Sequence, residues 1–191
     1  MPGGDNMTQK KYLDALLHIP MQIVFLCLSG LIAILVMIIP SYIVNGVMWF
    51  SGTMGQPMGT GALVVAIIGM ITSMVAMYAF SQKAGDDAAI LSYQLDSEHF
   101  SVNPVLPVII IVVSVAVYTG ICFVFGFDYI AGAVKFLAPF IAKTSSREFS
   151  SIDTKTKFIS YIIVVAPQIP MMFIGYFTAY KSRLKSVGAI K

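Results

Sequence analysis

The 191-residue chain is 58% hydrophobic and only 11% charged, against about 25% charged in soluble domains, so a water-soluble globular protein is excluded. Its net charge of +3 is too small to indicate a nucleic-acid partner, which leaves the lipid bilayer as the solvent to reason from. Cys27 and Cys122 both lie inside apolar runs and read as small hydrophobes, not as a disulfide or a metal pair.

Residues 1–17 form a polar lead carrying Lys10 and Lys11. The first predicted membrane helix covers about 20–39, with Pro20 at its first position and Pro40 as its stop. No small-x-small cleavage site ends this run, which predicts a retained span and not a removed signal. Ser29 and Gly30 are the small residues near its centre. The uncharged connection after it holds Tyr42, Trp49 and Phe50, rings suited to a membrane interface. It also holds Gly52, Gly55 and Gly59, but no Gly-Lys-Ser/Thr ending that would make a phosphate loop.

The second helix is predicted over about 61–80. Gly69 and Ser73 make a small-xxx-small pair there, a candidate helix contact. Met70, Met74 and Met77 recur at helical spacing; thioethers suit Cu(I), yet methionine is also an adaptable packing residue, and packing is the preferred reading. Residues 81–103 are the acidic stretch, with Asp86, Asp87, Asp96 and Glu98, and read as a loop with a short surface helix in its middle. The third span covers about 104–125, where length decides for a helix despite the dense β-branched residues. Ala116 and Gly120 are its small pair.

Residues 128–143 carry Asp128, Gly132, Lys135, Pro139 and Lys143 as a narrow polar or small stripe on an otherwise apolar segment. At about 24 Å it is short for a span, and Lys135 would fall near mid-membrane. An interfacial amphipathic helix is expected, a re-entrant segment or fifth span being the alternative. The last span covers about 158–180, 23 residues without a charge. Pro167, Gln168 and Pro170 interrupt it, and the two prolines are expected to free the carbonyls of Ile163 and Ala166.

The expected fold is an all-α membrane protein: four transmembrane helices plus one interfacial or re-entrant helix, residues 1–191 making a single polytopic domain. Both termini then share the side of the acidic stretch. That side holds Lys10, Lys11, Lys83, Lys181, Arg183, Lys185 and Lys191, and the other side Lys135, Lys143, Arg147, Lys155 and Lys157. The bias is slight and places both termini in the cytoplasm of a multi-pass cell-membrane protein. A fifth span would move the tail outside.

Candidate sites are few. Pro167, Gln168 and Pro170 are a candidate binding locus, weighed against a plain packing kink, which is preferred. His18 and His99 stand near Asp14, Asp96 and Glu98 and are weak candidates for a metal or pH-responsive site. No hydrolase, zinc-protease, Walker or Rossmann pattern occurs, and no cofactor is implied. The cores of the predicted spans carry no Asp, Glu, Lys, Arg or His, which disfavours an ion-coupled carrier. The sequence therefore points to a non-catalytic integral subunit of a larger membrane assembly, such as a transport or secretion complex. Its partners are other membrane subunits or further copies of itself, together with lipid. A small oligomeric transporter or channel for an apolar substrate is the alternative, and a membrane enzyme or metal-handling protein the third reading.

Overall fold

In the computed structural model the described residues are 4–51, 59–95, 105–126, 132–144, 146–186 and 188, with side chains described for 20–48, 50–51, 59–90, 108–126, 132–144, 149–186 and 188. Among them the elements are helical: α1 (Gly4–Phe50), α2 (Thr60–Leu95), α3 (Val105–Phe125), α4 (Val134–Ala142), a 3-10 turn (Ser146–Ser151), α5 (Thr154–Val165) and α6 (Gln168–Ser186). Four stretches are long and apolar enough to cross a membrane: Pro20–Met48, Thr60–Ile90, Val108–Phe125, and Thr154–Ser186, which contains both α5 and α6. The fold is thus all-helical with four candidate spans.

Helix limits differ from the sequence expectation at both prolines of α1. The helix starts at Gly4, so Pro20 lies inside it, and it passes Pro40 to end at Phe50. Proline costs a backbone bond, but in apolar surroundings a continuing helix still leaves fewer open backbone groups than a break would. Ser41 beside Pro40 donates its hydroxyl to the Ile38 carbonyl at 2.7 Å, covering one acceptor in that turn. Likewise α2 does not stop at Phe80 but runs to Leu95, taking in the start of the acidic stretch. Ala84, Gly85, Ala88 and Ala89 are buried there while Lys83 and Asp87 are exposed, so the continuation is amphipathic and helical. The third helix agrees with the expected limits from Val105 onward; Pro104 lies outside the described residues.

The chain divides into two compact units. The first comprises Met1–Leu26, Met77–Tyr118 and Ile169–Lys191. Its core joins Ala84, Ala88 and Ala89 of α2 to Tyr176, Tyr180 and Leu184 of α6, with Met21 and Phe25 of α1 packed against it. Phe25 stacks on Phe80 with ring centroids 5.0 Å apart. Between α2 and α6 the backbones meet: a Cβ on Gly85 would collide with the Tyr176 carbonyl oxygen, and one on Gly175 would lie 2.5 Å from the Tyr78 carbonyl oxygen. Partners rise together in number (Tyr78 with Gly175, Asp86 with Arg183), so this stretch of α2 and α6 runs parallel. The Arg183–Asp86 ion pair, 3.6 Å and half exposed, adds little to that packing.

The second unit comprises Cys27–Ala76 and Thr119–Gln168. Here α4 packs on α5 and on the 3-10 turn, burying Val134, Leu137, Ala138 and Pro139. Gly132 lets the entry to α4 press on Ile34 and Met37 of α1. The stripe expected on 128–143 is therefore not one solvated face. Gly132 and Pro139 point inward, Lys135 and Lys143 outward, and Asp128 lies outside the described residues. At nine residues α4 is about 14 Å long and does not provide a fifth span.

α5 begins at an Asp153 cap, whose carboxylate accepts the Thr156 N–H at 2.9 Å. That bond holds the Asp153 carboxyl below its ordinary value, with a smaller contribution from Lys155. The folded pKa is depressed, so the cap's contribution is full above the ordinary carboxylate range and is lost as pH falls through the lowered value. The protection of the Thr156 amide, its exchange rate set against the intrinsic rate at the same pH, is expected to be high at neutral pH and to fall on acidification in native protein. In an Asp153→Ala variant that protection should be low throughout. Equal protection in the two proteins at pH 7 would remove the cap.

Candidate polar site at the α5–α6 break

The sequence Ala166-Pro167-Gln168 separates α5 from α6, and the way it does so determines what is exposed there. α5 closes with the Ala166 N–H donating to the Ile162 carbonyl at 2.8 Å. Pro167, which has no N–H to give, occupies the turn, and Pro170 falls in the first turn of α6, where a missing N–H costs nothing. The two prolines thus serve one helix end and one helix start, in place of the single kinked helix expected from the sequence.

Gln168 completes the join. Its side chain is 4% exposed, and its amide nitrogen donates to the Val164 carbonyl at 3.1 Å. Its amide oxygen accepts from the Ser29 hydroxyl of α1 at 3.5 Å, a long and weak bond, and Ser29 is itself fully buried. Both residues belong to the second unit. The pairing was not anticipated, although each was the polar residue at the middle of an otherwise apolar span. In lipid, such residues turn inward and find each other or a backbone carbonyl.

The chemistry available here is that of neutral amides and hydroxyls. No ionisable group takes part, so the arrangement can fasten helices or hold a hydrogen-bonding ligand, but it offers no acid, base or activated nucleophile. Three other buried serines are satisfied within their own helices: Ser73 donates to Gly69, Ser114 to Ile110 and Ser160 to Thr156, at 2.9, 2.7 and 2.8 Å. Thr119 and Tyr161 share a hydrogen bond of 2.8 Å between α3 and α5. Gln22 Oε1 and Ser81 Oγ, both in the first unit, are buried and make no hydrogen bond among the described residues.

Of the two expected small pairs, Gly69 faces inward, where its missing Cβ makes room for the Met37 thioether, and Ser73 is buried. Ala116 and Gly120 are exposed, and nothing lies within 4 Å of the Cβ position of Gly120. The glycines at which backbones meet most closely, Gly85 and Gly175, were missed. Gly85 sits between Lys83 and Asp86, and its charged neighbours disguised a buried face. Met77 is fully buried and Met70 and Met74 half-buried. The side chain of His18, and His99 entirely, lie outside the described residues, and no group of three potential metal ligands occurs among those described.

Replacing Gln168 by Leu removes the bond to Val164 and the weak one to Ser29. A loss of about 1 kcal/mol in unfolding free energy is expected, as for other hydrogen bonds inside membrane proteins. Thermal unfolding in one detergent would measure it, and a loss above about 3 kcal/mol would mean that Gln168 does more than close the break.

No protein-family model, curated protein or solved structure matches this chain.

Proposed function

We propose that the chain is a non-catalytic integral subunit of a larger membrane assembly, such as a transport or secretion complex, in which it contributes helices and no chemistry. The observation that carries this reading is the outer face of α3. Ala116 and Gly120 stand exposed four residues apart, among Val112, Val113, Val117 and Phe123, and Gly120 has open space where a Cβ would be. Gly69, Gly85, Gly132 and Gly175 are each closed off by a neighbouring helix or loop of the same chain. Small residues admit a close-packed helix, and on this face the chain supplies none among the described residues. The absence of Asp, Glu, Lys, Arg and His from Pro20–Met48 and Val108–Phe125 supports a structural role over an ion-coupled one. The cell membrane, with both termini in the cytoplasm, is the location that goes with this reading.

The test is the native mass of the tagged protein after mild extraction from its own membrane. Other polypeptides should co-extract in fixed ratio, and Gly120→Leu should release them without lowering the chain's own thermal stability, since a side chain at an open helical glycine favours the helix. A clean homo-oligomer carrying a bound apolar molecule, unaffected by Gly120→Leu but emptied by Gln168→Leu, would replace the subunit reading with that of a small transporter.

A further inference from the structure

We propose that the connection between α3 and α5 binds acidic phospholipid headgroups through Lys135, Lys143 and Lys155. α3 ends one candidate span at Phe125 and α5 starts another at Thr154, so when these helices cross a bilayer the intervening residues lie at one of its boundaries. α4 is held there by the burial of Val134, Leu137 and Ala138 against α5 and the 3-10 turn. It therefore keeps Lys135 and Lys143 beside the chain instead of releasing them into water. Lys135, Lys143 and Lys155 are exposed and make no ion pair among the described residues.

The other charges nearby have partners. Lys157 Nζ donates to the Ser150 carbonyl at 3.4 Å and lies 4.7 Å from the centre of the Phe149 ring. Asp153, the acid whose side chain is described here, is engaged by the Thr156 N–H. Over residues 128–157 the sequence carries Lys135, Lys143, Arg147, Lys155 and Lys157 against Asp128, Glu148 and Asp153, a basic excess.

Helix stability does not account for all these cations. Lys155 and Lys157 occupy the first turn of α5, the end at which helix polarity disfavours positive charge. At the end of α6 the situation is reversed. Arg183 and Lys185 stand in the last turn, where polarity favours them, and Arg183 also pairs with Asp86. Arg183 thus serves the fold, whereas Lys135 and Lys155 are exposed, with no ion pair among the described side chains and no helix end that calls for them, and Lys143 stands beside them at the end of α4. At a bilayer boundary the abundant anion is the phosphate of a lipid headgroup. An acidic phospholipid presents net negative charge, while a zwitterionic one carries its own compensating cation. Lysine suits the task, because its long stem lies along apolar surface while the ammonium reaches the headgroup.

The test uses the full chain in a mild detergent with equal amounts of phosphatidylglycerol and phosphatidylcholine, and native mass spectrometry counts the lipids retained. Wild-type protein should retain phosphatidylglycerol preferentially, and K135Q/K143Q/K155Q should lower that preference by roughly tenfold or more, at about fivefold per lysine before screening. K181Q/K185Q, at the end of the last span, should lower it less than the triple variant does. All three lysines are exposed, and unchanged thermal unfolding of the triple variant will show that the fold is retained. Equal preference in wild type and the triple variant would overturn the proposal. So would displacement of the lipid by a few millimolar inorganic phosphate, which would reassign the lysines to a free anion. Neither result bears on whether partner polypeptides co-extract.

Discussion

Gly85→Ala and Gly175→Ala are each expected to destabilise the protein, by about 1–2 kcal/mol net, although alanine is the better helix former by about 1 kcal/mol. A methyl group at 85 runs into the Tyr176 carbonyl oxygen, and one at 175 meets the Tyr78 carbonyl oxygen at 2.5 Å and the Ser81 Cβ at 3.2 Å. These are backbone or near-backbone atoms of regular helices, and no side-chain rotation relieves the contact. α2 and α6 have to move apart, loosening the packing of Ala84, Ala88 and Ala89 on Tyr176, Tyr180 and Leu184. Valine at either position should be worse and is expected to reduce accumulation of the folded protein. Two internal comparisons give the result its meaning. Gly46→Ala, in α1 with nothing within 4 Å of its Cβ position, should stabilise by about 0.5–1 kcal/mol. Gly69→Ala should be near neutral, since the Met37 thioether in its way is the end of a flexible side chain. Unfolding in a single detergent measures all four. If Gly85→Ala proves as stable as wild type, the close approach of α2 and α6 is refuted.

Leu184→Ala is expected to cost about 2–4 kcal/mol, because a fully buried side chain leaves a cavity that rigid helices fill poorly. Leu184 stands in the last turn of α6 between Arg183 and Lys185, at the end of the candidate span, and packs into the alanine-rich face of α2. Its loss should loosen the end of α6 first, so hydrogen exchange near Tyr180–Leu184 should rise before the rest of the chain responds. Leu35→Ala provides the contrast. Leu35 is 65% exposed on an apolar stretch of α1, where in a membrane it touches lipid whether or not the bundle is assembled, so its truncation should change stability little. Equal costs at the two leucines would mean that burial within the chain does not set stability.

The polar site was half legible in the sequence. Gln168 stands out because an amide in a 23-residue uncharged run has to be met by something, and Pro167 beside it marks where the helix gives way. Its partners were not legible. Ser29 is 139 residues away in sequence, and nothing local to either residue indicates the other. The prolines at 20 and 40 misled for a related reason. A proline stops a helix in water because water takes up the freed carbonyls, whereas in an apolar setting continuing the helix is cheaper. Residues 81–95 misled in the opposite sense, since Lys83, Asp86 and Asp87 resemble a loop until the buried alternation of Ala84, Gly85, Ala88 and Ala89 is set against them.

Composition and run length alone determine that the chain is helical with four apolar stretches fit to span a bilayer, because in lipid every backbone group must be satisfied within its own segment. They also determine that the middles of those stretches carry amides and hydroxyls and no charge. Tertiary structure decided which small residues are used. Gly85 and Gly175 face carbonyls, Gly69 and Gly132 face side chains of α1, and Gly120 faces open space, though as letters in a sequence they are the same. A glycine's role depends on what stands opposite its missing Cβ, and that is set by a helix distant in the chain.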